Sequence, residues 1–296
     1  MSIASRRALL TLIAEAERNG DAAALPFYAT PAAEVSAFAA RYDLDLSFLN
    51  LIMTFATGDA GFWRQVVEAL PPGADGRIAA ARWIEWLWTD AETGLRNRVG
   101  HAALRASGDR VCDLQRRAAA GEDVARSDWR QVRARLVSRD GDDAVQAAAI
   151  EGIAAAAWDL GSAPGAAADM IYAWKAMLFA EVGRDLEWTA EKQSAANERF
   201  DRMAASARAN ADAAVQQARA EGTDVAPEGG PIETTPFYRD VYNKGVADFI
   251  AANPSDLDLY GQRTRATVDN MYQLGRDGLL RQVASLSTAP ASMVSA

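Results

Sequence analysis

Ala147-Ala148-Ala149-Ile150-Glu151-Gly152-Ile153-Ala154-Ala155-Ala156-Ala157-Trp158 is the run whose reading decides the fold of this chain. Alanine loses no side-chain entropy on entering a helix and has the highest intrinsic helix propensity, so the run reads as helix. It sits inside a longer stretch, Ser127 to about Val182, that opens with Ser127-Asp128-Trp129 and breaks at Gly161-Ser162-Ala163-Pro164-Gly165. The stretch resumes as Met170-Ile171-Tyr172-Ala173-Trp174-Lys175-Ala176-Met177-Leu178-Phe179. Helices with alanine on several faces can approach their neighbours closely, which suits the middle of a helical stack. Trp158, Ile171, Trp174 and Phe179 are expected to fill the gaps that remain.

Working outward, the 296 residues suffice for one large domain or two ordinary ones, and an apolar half with a quarter charged is ordinary globular composition. The net charge of −9 argues against general nucleic-acid affinity while leaving room for a local basic surface. Cys112 is the one cysteine, so no intramolecular disulfide forms, which fits a reducing cytosol. The longest apolar stretches, Phe48 to Thr57 and Met170 to Val182, fall short of the ~20 residues that a membrane span needs. Arg6-Arg7 before the apolar run Ala8 to Ala14 has the look of a secretion signal, but Glu15, Glu17 and Arg18 interrupt it and favour an ordinary first helix. The chain is therefore expected to be soluble and cytoplasmic, without a membrane partner.

Three-four spacing of apolar residues recurs throughout, and no segment sustains strand alternation. The first helix is expected over Ile3 to Arg18, stopped at Gly20. Thr30-Pro31 and Thr235-Pro236 both carry the signature of an N-cap followed by proline in the first turn. Leu46 to Thr57 is apolar nearly all round. A long helical pattern from Asp75 to about Ala106 is separated by Gly108-Asp109 from Val111 to Ala120. Ala190 to Ala220, with few large apolar groups, is expected to lie exposed, with a marginally ordered C-terminal half. These signals predict an all-α array of about ten helices. The expected organisation is a main domain over 1–220, a glycine- and proline-rich linker over 221–235, a C-terminal helical pair over 236–286 and a tail over 287–296.

Chemistry is sparse. His101 is the only histidine, which excludes multi-histidine zinc sites and paired Glu-x-x-His di-iron sites. There is no glycine-rich phosphate loop and no Gly-x-Ser-x-Gly. Asp140, Asp142 and Asp143 cluster around Gly141, but the spacing is that of a turn, and Asp142 and Asp143 read as first-turn residues favoured by the helix dipole. Neither a metal nor a cofactor is expected, and no catalytic residue is assigned.

Two features are uneven. Trp83, Trp86 and Trp88 fall within six residues and cannot share one narrow helical stripe. Either their helix is buried on two sides, or an indole faces solvent or a partner, where tryptophan makes a strong anchor. Between Arg96 and Arg139 there are eleven arginines against five acids, in a chain that is acidic overall. Arg126, Arg130 and Arg133 share one helical face while Trp129, Val132 and Leu136 point inward. Arginine forks suit carboxylates and phosphates. The plain reading is a solvated face paired with the protein's own acids; an acidic protein partner comes next, then nucleic acid or a phosphate ligand.

Arg116-Arg117-Ala118-Ala119-Ala120-Gly121-Glu122, Ala173-Trp174-Lys175-Ala176 and Leu186-Glu187-Trp188 carry a resemblance. Over residues 110–193 the chain resembles the alanine-rich helical Imm-5-like group of immunity proteins. The histidines common in that group's alanine-rich helices are absent here. The resemblance implies a non-catalytic protein that neutralises a toxin by binding it, and it transfers no functional residue.

The leading expectation is a non-catalytic protein-interaction module, immunity-like in kind, acting through Arg126, Arg130 and Arg133 and through the Trp83, Trp86 and Trp88 segment. An all-α domain with an aromatic-lined pocket, binding or transforming a small molecule, is one alternative. A structural, virion-type oligomer is the other.

Overall fold

A computed structural model describes residues 1–20, 22, 24–27, 29–136, 143–223, 225 and 231–288. Among them are twelve α-helices, three short 3-10 turns and no strand, so the chain is all-α. It divides into two compact units, one of residues 1–180 with 267–296 and one of residues 181–266.

In the first unit the chain runs through α1 (Ile3–Asn19), α2 (Ala32–Tyr42), α3 (Leu46–Ala56), α4 (Ala60–Ala69), α5 (Gly76–Thr89), α6 (Ala102–Ala119), α7 (Arg126–Arg135), α8 (Ala144–Ala156) and most of α9 (Ala166–Asp185). Aspartates start four of these helices. Asp45, Asp59, Asp75 and Asp143 each accept a hydrogen bond from a backbone N–H in the first turn, satisfying donors that the helix cannot. Thr30 departs from its expected cap role. Its hydroxyl accepts from the Phe27 N–H at 3.0 Å, closing the preceding turn, and α2 begins without a side-chain cap. Thr235, with the same Thr-Pro signature, does cap its helix by accepting from Tyr238 N–H.

α3 is buried on nearly every side, with Phe48, Leu49, Leu51, Ile52 and Phe55 fully enclosed against α2, α4 and α5. α5 is enclosed as well, between α3 and α6. Trp83 packs edge-on against Phe55, whereas Trp86 and Trp88 each meet a glycine. A Cβ built on Gly108 of α6 would lie 2.2 Å from Trp88 Cζ2, so only glycine leaves room for the ring. α6 therefore runs unbroken through Gly108, where the sequence spacing places a separator. The Trp88 indole N–H donates to Asp109 Oδ1 at 2.8 Å, and Arg96 Nε donates to the same oxygen at 2.8 Å. These bonds, the one from Arg96 foremost, hold the Asp109 carboxyl below the usual carboxylate range.

The second half of α12 (Leu257–Ala284) uses the same device. A Cβ on Gly275 would fall 2.3 Å from the Phe55 ring, and one on Gly278 would fall 2.4 Å from that of Trp86. Arg276 then donates to Phe55 O at 2.9 Å and to Asp59 Oδ2 at 2.9 Å, fastening this half of α12 to the α3–α4 turn.

In the second unit α10 (Ala190–Ala220) is not the exposed helix its polarity suggests. Ala204, Ala207, Ala211, Val215 and Ala218 form a buried stripe against α11 (Pro236–Ala252). The approach is close: a Cβ on Gly245 would lie 3.1 Å from the Cα of Ala207. Arg199 closes the turn from α11 into α12, donating to both carboxylate oxygens of Asp258 and to Asn253 O, with Phe249 beneath its guanidinium. α11 pairs with α10 while the second half of α12 packs on Phe55 of α3 and Trp86 of α5, so the compact units change over at 180/181 and 266/267, whereas the expected linker spans 221–235. Within that segment Val225 is buried and Ile232–Thr234 forms a 3-10 turn, while Asp224, 226–230 and the tail from 289 onward lie outside the described residues.

In an open helix interior, glycine to alanine gains up to ~1 kcal/mol. At position 108 the indole of Trp88 must shift instead, and overpacking of that kind costs roughly 1–3 kcal/mol. Gly108→Ala is expected to lower unfolding stability by about 2 kcal/mol in a urea titration. A neutral or stabilising change would contradict the close packing.

Candidate functional site

α7 is a ten-residue helix whose inward face is narrow and apolar. Trp129 and Val132 are buried, and Leu136 packs partly against the same core. Arg126, Arg130 and Arg133, at four- and three-residue spacing, occupy the other face as the sequence predicts. Arg126 and Arg130 are exposed, and neither has an ion-pair partner among the described residues. Asp128 in the first turn is the one acid of the helix, placed where the dipole favours it.

Arg133 is held differently. The carbonyls at the end of α8 have no intrahelical donors, and two side chains supply them. Gln115 Nε2 on α6 donates to Ala156 O at 2.7 Å and to Trp158 O at 2.8 Å. Arg133 Nη1 donates to Ala157 O between them. The Arg133 guanidinium also lies 3.5 Å from the centroid of the Trp158 ring, a cation–π contact. Partial burial, and then the neighbouring charge of Arg130, push the Arg133 pKa below its ordinary value. No carboxylate pairs with Arg133 among the described residues.

Trp158 is 45 % exposed, which corrects the expectation that it fills a core gap. It lies beyond the last residue of α8, so its indole leaves the helical register and turns out beneath Arg133. Trp83, Trp86 and Trp88 follow the first of their two readings, a helix buried on two sides, and not the reading as partner-facing indoles. Trp83 and Trp88 are fully enclosed and Trp86 nearly so, because α5 is covered on two sides. They are core anchors and offer no partner surface within the first unit.

The remainder of the basic stretch is largely neutralised internally. Arg96 pairs with Asp109, Arg110 with Asp113, Arg116 with Glu85 and Arg117 with Glu122. Arg105 donates to the Val99 and Gly100 carbonyls. The plain reading of a face paired with its own acids thus holds along α6 and stops at α7. Arg139, Asp140 and Asp142 lie outside the described residues, and Asp143 caps α8.

His101 is exposed at the N-cap of α6, and Cys112 is buried in the same helix, ~16 Å further along the axis. Burial pushes the Cys112 thiol up to about 12, which removes the thiolate needed for nucleophilic chemistry. Among the described residues no group of three or more His, Cys, Asp or Glu side chains could hold a metal ion. Among the described residues no helix is long and apolar enough to cross a membrane.

Gln115 was not singled out by sequence and Trp158 only as a core residue, yet both carry a signal of their role here. Gln115 falls on the apolar stripe Leu104, Gly108, Val111, where a polar residue is out of place unless it caps something. Trp158 stands at the edge of the Gly-Ser-Ala-Pro-Gly break, where an indole has no helical neighbour to pack on. The chain matches no family model, no curated protein and no solved structure.

Removing a donor from a capped carbonyl leaves that group unsatisfied, at roughly 1–3 kcal/mol each. Gln115→Leu and Arg133→Met are each expected to lower stability by about 2 kcal/mol, whereas Arg130→Ala stays within about 0.5 kcal/mol of the parent. Equal effects at 130 and 133 in chemical denaturation would contradict the assigned division of labour. It follows that the double reversal Arg130→Glu with Arg133→Glu would unfasten α8 as well as alter surface charge.

Proposed function

We propose that this chain is a non-catalytic protein-interaction module, and that the outer edge of α7 docks an acidic segment of a protein partner. The observation that supports the reading is the pairing of two uncommitted arginines, Arg126 and Arg130, with an exposed indole stacked under a third, Arg133. Arginine and tryptophan are the residue types that dominate interface energetics, because they combine large rigid area with directional donors. A carboxylate arriving beside Arg133 would supply the opposite charge that this half-buried cation lacks. The partner's apolar side chains would then cover Trp158. The resemblance of residues 110–193 to the Imm-5-like group gives that partner a class, a toxin held by occupancy. The reducing cytosol suits a chain whose single cysteine is buried and unpaired.

The test uses Arg126→Glu with Arg130→Glu, since both side chains are exposed and neither caps a helix. Tagged parent and variant are used to capture proteins from host lysate, with and without nuclease. The parent is expected to retain one stoichiometric protein after nuclease, and the variant to recover about tenfold less at an unchanged melting temperature. Recovery that disappears with nuclease would assign the face to nucleic acid, and capture indifferent to the reversal would remove α7 from the binding surface.

A further inference from the structure

The connection between α1 and α2 and the outer stripe of α2 face each other across a groove of about 410 Å³. That volume falls in the range, roughly 300–1,000 Å³, in which proteins hold small ligands. One wall is Leu25, Pro26 and Phe27. The other is α2, where Glu34, Phe38 and Arg41 fall at four- and three-residue spacing and so share one face. Both walls are set before a ligand arrives. Thr30, which does not cap α2, closes the loop instead: its hydroxyl accepts from the Phe27 N–H at 3.0 Å, and its own N–H donates to Phe27 O at 2.9 Å. Leu25 and Pro26 are buried, while Phe27 stays 44 % exposed. On α2 the Phe38 ring lies 4.7 Å from that of Tyr42 and 5.9 Å from that of Trp63, and the Arg41 guanidinium sits 5.6 Å from the Tyr42 centroid. This aromatic row keeps Phe38 in the middle of the groove and Arg41 at one end, with Glu34 at the other. Neither Glu34 nor Arg41 has an ion-pair partner among the described residues.

The geometry points to this groove as the binding site of a short apolar peptide, about three residues long, with its free amine toward Glu34 and its free carboxylate toward Arg41. An apolar middle with opposite charges at its two ends selects a ligand built the same way with the signs reversed. A fatty acid would answer Arg41 and leave Glu34 facing its tail; an alkylamine would do the converse. Spacing sets the length. Glu34 and Arg41 stand two turns apart, ~10 Å along the axis of α2, and an extended tripeptide separates its termini by ~10 Å as well. An arginine fork takes a terminal carboxylate through two parallel hydrogen bonds. Phe27 and Phe38, on opposite walls, would then cover the central apolar side chain from both sides.

The probe is the tripeptide alanyl-leucyl-alanine with free ends, titrated into the full chain and followed by backbone amide shifts. Its N-acetylated form, its C-amidated form and a pentapeptide with one further alanine at each end are compared with it. The tripeptide is expected to shift amides within residues 24–41. It is expected to bind about fivefold more tightly than either blocked form, and than the pentapeptide, whose ends lie ~17 Å apart. Glu34→Gln is expected to abolish the preference over the acetylated form while keeping that over the amidated form, and Arg41→Gln to do the reverse. Both side chains are exposed, so the variants keep their fold, checked by an unchanged melting temperature. Blocked forms that bind as tightly as the free tripeptide would assign the groove to an internal segment of a longer chain. That result, a preference that both variants leave intact, shifts confined to other residues, or no binding would each overturn the assignment.

Discussion

Trp88 reaches its place on α5 only because residue 108 of α6 carries no side chain. Much of the first unit depends on that contact. The indole sets the height of α6 against α5, and its N–H fixes Asp109, which in turn takes Arg96. Gln115 stands two turns further along the same face of α6, ~10 Å away, and so arrives beneath the end of α8. The end of α8 then places Ala157 and Trp158 for Arg133. Phe55 on Gly275 and Trp86 on Gly278 repeat the arrangement on the other side of α5. Aromatic rings seated on glycines thus set the approach of α6 and of the second half of α12, within a core of meshed apolar side chains.

Local physics was legible in the sequence. Alanine content and three-four periodicity predict helices that the structure contains, and Ala190 to Ala220 has the same bounds in both. What sequence misplaced depends on contacts between distant residues. Gly108 resembles a helix stop until the indole above it is seen, because the glycine answers a neighbour on another helix. The Thr-Pro signature caps at Thr235 and not at Thr30, where an earlier turn takes the hydroxyl. Trp158 turns outward for the same reason, and the Trp83–Trp88 spacing left two readings open: exposure depends on what covers a helix, and spacing along one helix does not contain that information.

The candidate site follows from an uneven distribution of charge. Along α6 each exposed cation with a carboxylate in reach has taken it, and pairs of that kind contribute little to stability and advertise nothing to a partner. On α7 Arg126 and Arg130 have no such partner, and Arg133 spends its hydrogen bond on a helix end and its flat face on an indole. One edge is thus fastened from below and left electrostatically open above. The proposed docking would draw on that combination, since rigid backing lowers the entropy lost when a partner arrives.

The claim that α7 is fastened at Arg133 and open at Arg126 and Arg130 can be read directly from arginine side-chain dynamics. Relaxation of the Nε–Hε groups reports motion on the picosecond-to-nanosecond scale, residue by residue. Arg133 is predicted to be as restricted as Arg96, while Arg126 and Arg130 average freely in the absence of a partner. Restricted Arg126 and Arg130 would mean that their charges are already committed within the chain, and a freely averaging Arg133 would mean that the end of α8 is held by something else.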